Sequence, residues 1–391
     1  MVLDPGPAAQ GGWDAVDDSP DLTDRGRAIF EHLRDLEAVQ GSDSASGTPD
    51  GEPGLSTAEA TEPTSPGEDP VPRGTDVRPS PGSESEPASR NSSAALPRPE
   101  DIEERPRPSP DGSSQASRAP AIEYPEPGSF ARPLPRVIAI ANQKGGVGKT
   151  TSAVNLGAGL AEMGYRTLVV DLDPQGNATT GLGINPRNLT ASVYDVLMRD
   201  TPIEDAIEPS AVRNLFVVPA TIDLAGAEIE LVPAFSRELK LRRSIEGLGD
   251  DFDFVLIDCP PSLGLITVNG LAAAGEVVVP IQCEYYALEG LGQLLRNINL
   301  VKGNLNPRLE LSAIILTMYD ARTKLAEQVA NEVRTHFGAK VCRNVVPRSV
   351  RLSEAPSFGQ PIIVFDPSSR GALAYRELAK EVSGGAPQRV R

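Results

Sequence analysis

The chain has 391 residues, 54 of them acidic and 37 basic, for a formal net charge of −17. Residues 1–130 hold 26 of the acids and 10 of the bases, so the excess charge lies in one third and the nearly neutral remainder stays free to carry a local basic patch for nucleic acid. Three cysteines without a C-x-x-C pair and two histidines argue against a zinc or iron–sulfur centre, and no apolar run approaches the roughly 18–20 residues of a membrane span.

Residues 1–130 are dense in Pro, Ser, Gly, Asp and Glu. Such a composition cannot bury enough surface to offset the entropy of ordering, so this stretch is expected to be a disordered acidic extension. One segment differs. Across 21–39, Leu22, Ile29, Phe30, Leu33, Leu36 and Val39 stand near helical spacing, which is open to two readings, a short helix that docks on a partner or a transient helix of no consequence. The N-terminus lacks the basic-then-apolar layout of a secretory leader. Cys259, Cys283 and Cys342 are expected to be small buried apolar residues of a reduced protein.

From residue 131 to 391 the pattern is that of one domain in which strands and helices alternate. Val137–Ala141 reads as a buried parallel strand and Ser152–Glu162 as a helix. Between them runs Asn142-Gln-Lys144-Gly-Gly-Val-Gly-Lys149-Thr-Thr151. Strand, glycine-rich turn and helix is the setting of a phosphate-binding loop. Glycine lets the backbone curl so that successive N–H groups converge on phosphate oxygens, and the helix aims its N-terminal amides at the same anion. Lys149 supplies charge for the β- and γ-phosphates, and Thr150 a hydroxyl for Mg²⁺.

The next strand, 166–171, ends in Asp171-Leu-Asp173-Pro. Carboxylates at the C-terminal end of a parallel strand, beside such a loop, suit metal or water positioning. Helices are expected over 189–199 and 235–247, and a strand over 214–219; the chemistry of 220–231 is uninformative. Phe252–Asp258 is an apolar strand that delivers Asp258 to the metal's outer shell, with Pro260-Pro261 stopping it sharply. Then follow a strand (276–281), a helix (about 287–302), a strand (311–319), a helix (323–337), a loop carrying Arg348 and Arg351, and a closing helix near 371–382. That order implies an α/β fold, a doubly wound and mostly parallel sheet with helices on both faces.

The loop departs from G-x-x-x-x-G-K-[ST] in one respect. Gln143 stands where the first glycine belongs, and a second lysine, Lys144, follows it. This deviant Walker A string resembles the ParA/MinD family of P-loop ATPases. Gln282-Cys-Glu-Tyr-Tyr-Ala-Leu-Glu-Gly290, Leu316–Thr323 and Pro347-Arg-Ser-Val-Arg-Leu-Ser-Glu-Ala-Pro356 look like its chromosomal ParA/Soj branch. The resemblance runs from about Val137 to about Val382, and the acidic extension departs from the compact members.

The resemblance implies an ATPase that partitions chromosomes or plasmids. Two protomers would sandwich two ATP–Mg²⁺. Gly145, Gly146, Val147, Gly148, Lys149, Thr150 and Thr151 would hold the nucleotide, joined by Pro347 and Arg348, with Lys144 reaching the partner's nucleotide. Asp173 would orient the attacking water, with Asp171 near the metal. The positions matching Arg322 and Arg351 bind DNA without sequence preference, and a ParB-type protein stimulates hydrolysis. The family places the protein in the cytoplasm on the nucleoid. The extension is available to a polar or scaffold partner. A MinD-like membrane ATPase is the alternative, but it needs a C-terminal amphipathic helix, and Val382–Arg391 is too short and too poor in large apolar residues. A nitrogenase-like reductase needs cysteines aimed at a cluster, and these three do not match.

Overall fold

The structure, a computed structural model, describes residues 124–126, 128–284 and 287–385. The expected disorder of the extension and its helix at 21–39 fall outside them. Phe130, placed by the sequence in the extension, is buried in the core, so the folded part takes in residues just upstream of 131.

Among the described residues one sheet has the order β3-β4-β2-β5-β1-β6-β7. Its strands are β1 (Arg136–Ile140), β2 (Thr167–Asp171), β3 (Glu208–Pro209), β4 (Leu215–Val218), β5 (Phe254–Asp258), β6 (Glu276–Gln282) and β7 (Glu310–Thr317). All pair in parallel except the short edge strand β3, which runs antiparallel to β4 and was not foreseen. Two residues are too few for a periodic signal.

Alternate residues of β1 feed opposite core layers. Ile138 and Ile140 face a layer with α1 (Lys149–Glu162) and α11 (Arg370–Ser383). Ala139 and Ala141 face a second layer formed by α3 (Val193–Met198), α4 (Leu224–Glu230), α5 (Lys240–Gly247), α6 (Leu265–Ala273), α7 (Ala287–Asn304) and α8 (Lys324–Phe337). Strands buried on both faces read as continuous apolar runs, which is why β2 and β5 were plain in the sequence. Short helices complete the chain: α2 (Asn177–Gly181), α9 (Val350–Glu354) and α10 (Ile362–Phe365).

The helix expected from 189 starts only at Val193. Ser192 N and Oγ both donate to Asp195 Oδ2 at 2.9 Å, which fixes the start there. The helix expected from 235 is a 3₁₀ turn over Arg237–Leu239 followed by α5, because Ser236 takes a left-handed φ of 49°. The uninformative stretch 220–231 contains α4. Arg351, placed by the sequence in a loop, lies on α9.

Chain order makes β1 the turning point. The chain leaves β1 toward β2 on one side, returns through β5, and continues to β6 on the other. Open α/β sheets bind ligands in the crevice at the carboxyl end of such a switch strand. Two features brace it from the far end. Arg136, at the start of β1, makes a two-pronged buried pair with Glu276 at the start of β6, at 2.7 and 2.6 Å, and donates to the Val382 carbonyl at 2.6 Å. On the helical side, α1 and α11 approach so closely that a Cβ on Gly159 would stand 2.8 Å from Ala379 Cβ.

Candidate nucleotide site and arginine surface

The loop after β1 is shaped by two glycines that only glycine suits: Gly146 at φ 73° and Gly148, the N-cap of α1, at φ 88°. A Cβ on Gly145 or Gly146 would meet nothing within 4 Å, so the loop's outer face is open. Asn142 pins the entrance, with Nδ2 donating to the Pro280 carbonyl at 2.8 Å and Oδ1 accepting from Lys144 N at 3.0 Å. Thr317, at the end of β7, donates its hydroxyl to the Val147 carbonyl at 2.8 Å. Neither clamp was named from the sequence. Asn142 had a signal, since a short amide side chain before glycines often caps its own loop. Thr317 had none, being 170 residues from its partner.

Lys149 is buried and donates to the Lys144 carbonyl at 3.1 Å. Burial lowers its pKa, and the nearby charge of Asp258 opposes that shift. Thr150 and Thr151 follow on the first turn of α1. The Lys144 ammonium meets Glu284 Oε2 of the same chain at 3.4 Å, while Gln282 donates to the other Glu284 oxygen.

Register places two carboxylates side by side. Asp171 ends β2, Asp258 ends β5, and the two are paired directly across the strands. Their surroundings differ. Asp171 accepts from Thr179 N at 2.8 Å, Thr179 Oγ1 at 2.7 Å and Asp173 N at 3.1 Å. Burial nevertheless pushes its pKa up to about 6. Asp258 is fully buried and neither carboxylate oxygen has a hydrogen-bond partner. Thr150 stands near enough to temper its titration without reaching bonding geometry. Burial, and then the charge of Asp171, push the Asp258 carboxyl well up.

An orphaned buried carboxylate beside a threonine hydroxyl and an open amide cradle fits a hard cation that brings its own phosphate oxygens. Among the described residues there is no group of three or more His, Cys, Asp or Glu suited to hold a metal by themselves. Mg²⁺ takes one or two carboxylates and fills the rest of its shell with phosphate and water. Asp173 is half-buried, and its Oδ1 caps the turn by accepting from Gln175 N at 3.0 Å.

Pro347 pairs with Tyr319 just beyond the end of β7, and Arg348 N donates to the Tyr319 carbonyl at 3.1 Å. With Arg322 and Arg370 they line a cavity of about 790 Å³ between the end of β7 and α11. Arg322 is paired with Asp320, and Arg351, on the neighbouring α9, with Glu354 and Asp366. The three cysteines are buried and free, as expected.

A family model described as an AAA domain matches residues 135–311. The sporulation initiation inhibitor protein Soj of Bacillus subtilis is 58% identical over 248 residues, which are 63% of this chain and 98% of that protein. The chain belongs to the Soj/ParA family of chromosome-partitioning ATPases. The chromosome partitioning protein ParA of Myxococcus xanthus is 54% identical over 258 residues, 65% of this chain and 91% of its own. Among solved structures, cobyrinic acid a,c-diamide synthase from Mycobacterium smegmatis with bound ADP and magnesium is 43% identical, with a TM-score of 0.56, over 63% of this chain and 93% of its own. The septum site-determining protein MinD of Pyrococcus horikoshii, complexed with Mg-ADP, is 29% identical with a TM-score of 0.51, over 63% and 95%. Each of these matches covers less than two thirds of this chain.

Among the described residues no helix is long and apolar enough to cross a membrane.

Proposed function

We propose that this chain is an ATP-driven partitioning switch whose ATP-bound dimer holds DNA without sequence preference and lets go on hydrolysis stimulated by a ParB-type partner. The observation that carries the reading is the open loop with two lysines beside the orphaned Asp258. Loop amides 145–151 and Lys149 would hold the phosphates of ATP, while Thr150 and Asp258 would hold Mg²⁺. Held by these residues, Mg²⁺ would supply positive charge against that building on the phosphates during transfer. Asp171, anchored by Thr179, keeps the Asp173 turn in place by accepting from Asp173 N. Asp173, with Oδ2 outside the turn's hydrogen bonds, orients the attacking water. Lys144 would leave Glu284 and complete the phosphate shell of the partner protomer.

Pro347 and Arg348 would contact the nucleotide from the β7 side, and Arg322 and Arg351 would contact DNA phosphates. A dimer presents two copies of that surface, so DNA binding is expected only with ATP. In the cell the reading places the protein in the cytoplasm on the nucleoid, with the extension free for a scaffold partner. The test is a DNA shift assay with ATP, ADP and no nucleotide, with and without lipid vesicles. ATP-dependent binding to random-sequence DNA supports the reading. ATP-dependent capture by vesicles with no DNA shift would replace it with a MinD-like role.

A further inference from the structure

The surface that this reading gives to DNA is already engaged from within. Arg322 Nε and Nη2 donate to the two Asp320 oxygens at 2.9 and 2.7 Å. Arg351 Nε donates to Asp366 Oδ2 and its Nη1 to Glu354 Oε2, both at 3.0 Å. Its guanidinium also lies 5.1 Å from the centre of the Phe365 ring. These bonds raise the pKa of both arginines. The Arg322 bonds hold the Asp320 carboxyl well below the usual carboxylate range, and Arg348 adds to the effect. Arg348 and Arg370 line the same cavity as Arg322 and make no side-chain hydrogen bond or ion pair among the described residues, although the charge of Arg348 acts on Asp320.

A guanidinium is a planar fork of donors, and the edge that faces a carboxylate two-pronged cannot face a phosphate in the same way. A phosphate that takes Arg322 displaces Asp320, and one that takes Arg351 displaces Glu354 and Asp366. The displaced carboxylates stay close by and repel the incoming anion.

We propose that Asp320, Glu354 and Asp366 set the strength of the DNA surface. They hold Arg322 and Arg351 in the free protein, so each of these phosphate contacts exchanges one anion for another. The inference rests on the reading of Arg322 and Arg351 as DNA contacts and concerns how that surface is regulated. It accounts for a DNA surface on a nearly neutral domain: its cations are interleaved with the acids that compete for them. An exposed ion pair shifts an equilibrium by a small factor, about two- to five-fold. Arg351 has two such partners, so releasing both tightens DNA binding by about four- to twenty-fold.

The experiment uses the full chain with ATP and Mg²⁺, and fluorescence anisotropy on random-sequence DNA at several salt concentrations. The variants are Glu354→Gln, Asp366→Asn, the two combined, and each set again with Arg351→Ala. Asparagine at 366 keeps the acceptor for Ser368, and Glu354→Gln alone leaves that turn untouched. The double variant is expected to bind about four- to twenty-fold tighter, and the gain to vanish once Arg351 is alanine. Unchanged or weaker binding in the double variant would overturn the inference, since the acids would then be bystanders or would orient Arg351 usefully. A gain that persists with Arg351→Ala would also overturn it, because it would be a general charge effect. Wild-type affinity in Arg351→Ala alone would remove Arg351 from the DNA reading, and the inference with it.

Discussion

In the proposed reading, Asp258 is the side chain at the site that a bound cation would relieve. It is fully buried, its oxygens have no partner, and Asp171 lies across from it on the next strand. Both carboxyls titrate above the ordinary range, which is about 3.9 for an unfolded aspartate. The metal-free folded state therefore keeps protons that the unfolded chain gives up. These groups stabilise it below about pH 4, and that contribution is lost as pH rises through about 6 for Asp171 and higher for Asp258. The metal-free protein should melt lower at pH 7.5 than at pH 5.5, and Mg²⁺ with ATP should raise its melting point more at the higher pH.

Asp258→Asn removes the titrating carboxyl. It should raise the melting point of the metal-free protein by about 2–12 °C, from about 1–3 kcal/mol of relieved burial at roughly 2–4 °C per kcal/mol. It should also abolish Mg²⁺-dependent turnover. A lower metal-free melting point, followed by circular dichroism, would show that the carboxylate is already satisfied.

The lysine and the second aspartate separate assembly from chemistry. Asp173→Ala should still bind ATP and dimerise but release phosphate at least about a hundred-fold more slowly, the scale of one lost positioning group. Lys144→Ala should keep monomer affinity for ATP and lose ATP-dependent dimers in light scattering. Normal dimers there would leave Lys144 as a partner of Glu284 alone.

At the scale of elements, the strand that carries the site is also braced at its opposite end. Arg136 ties the start of β1 to the start of β6 and to the end of α11, and its guanidinium lies 5.4 Å from the centre of the Phe254 ring. β1 carries the phosphate loop at its far end, so the pair fixes the strand from which the loop springs. Removing one partner of a buried pair strands the other charge, at about 3–5 kcal/mol. Arg136→Met should therefore cost about 3–5 kcal/mol in chemical denaturation, and Arg136→Met with Glu276→Met substantially less. Equal losses in the two variants would mean that packing, rather than the stranded charge, dominates.

At the scale of the whole molecule, charge and fold are separated along the chain. The extension carries the acidic excess, whereas the described residues contain a complete doubly wound sheet with both core layers filled. The relatives consist almost wholly of the matched domain, 98% of one and 91% of another. Deleting residues 1–123 should leave the circular dichroism spectrum of the domain, ATP binding and DNA binding in place. Loss of cooperative unfolding in the shortened chain would show that the extension belongs to the core.

The sequence by itself determined the parts whose physics is local. The strand–loop–helix around Lys149, the apolar strands ending in Asp171 and Asp258, and the doubly wound order of elements follow from periodicity, glycine spacing and chain order. So do the candidate ligands, because a phosphate loop needs its lysine and threonine at fixed steps along the chain. Boundaries were less legible where a single backbone angle or cap decides them, as at Ser236 and Ser192. Only the tertiary structure decided which of two similar aspartates is satisfied. Asp171 finds Thr179 eight residues on, whereas Asp258 is sealed in with nothing to bond. It also brought Thr317 to Val147, Glu276 to Arg136 and Asp366 to Arg351. No composition or period encodes such meetings. They arise where the sheet sets distant strand ends side by side and the helices fold back across them, and there two groups far apart in the chain come to share one hydrogen bond.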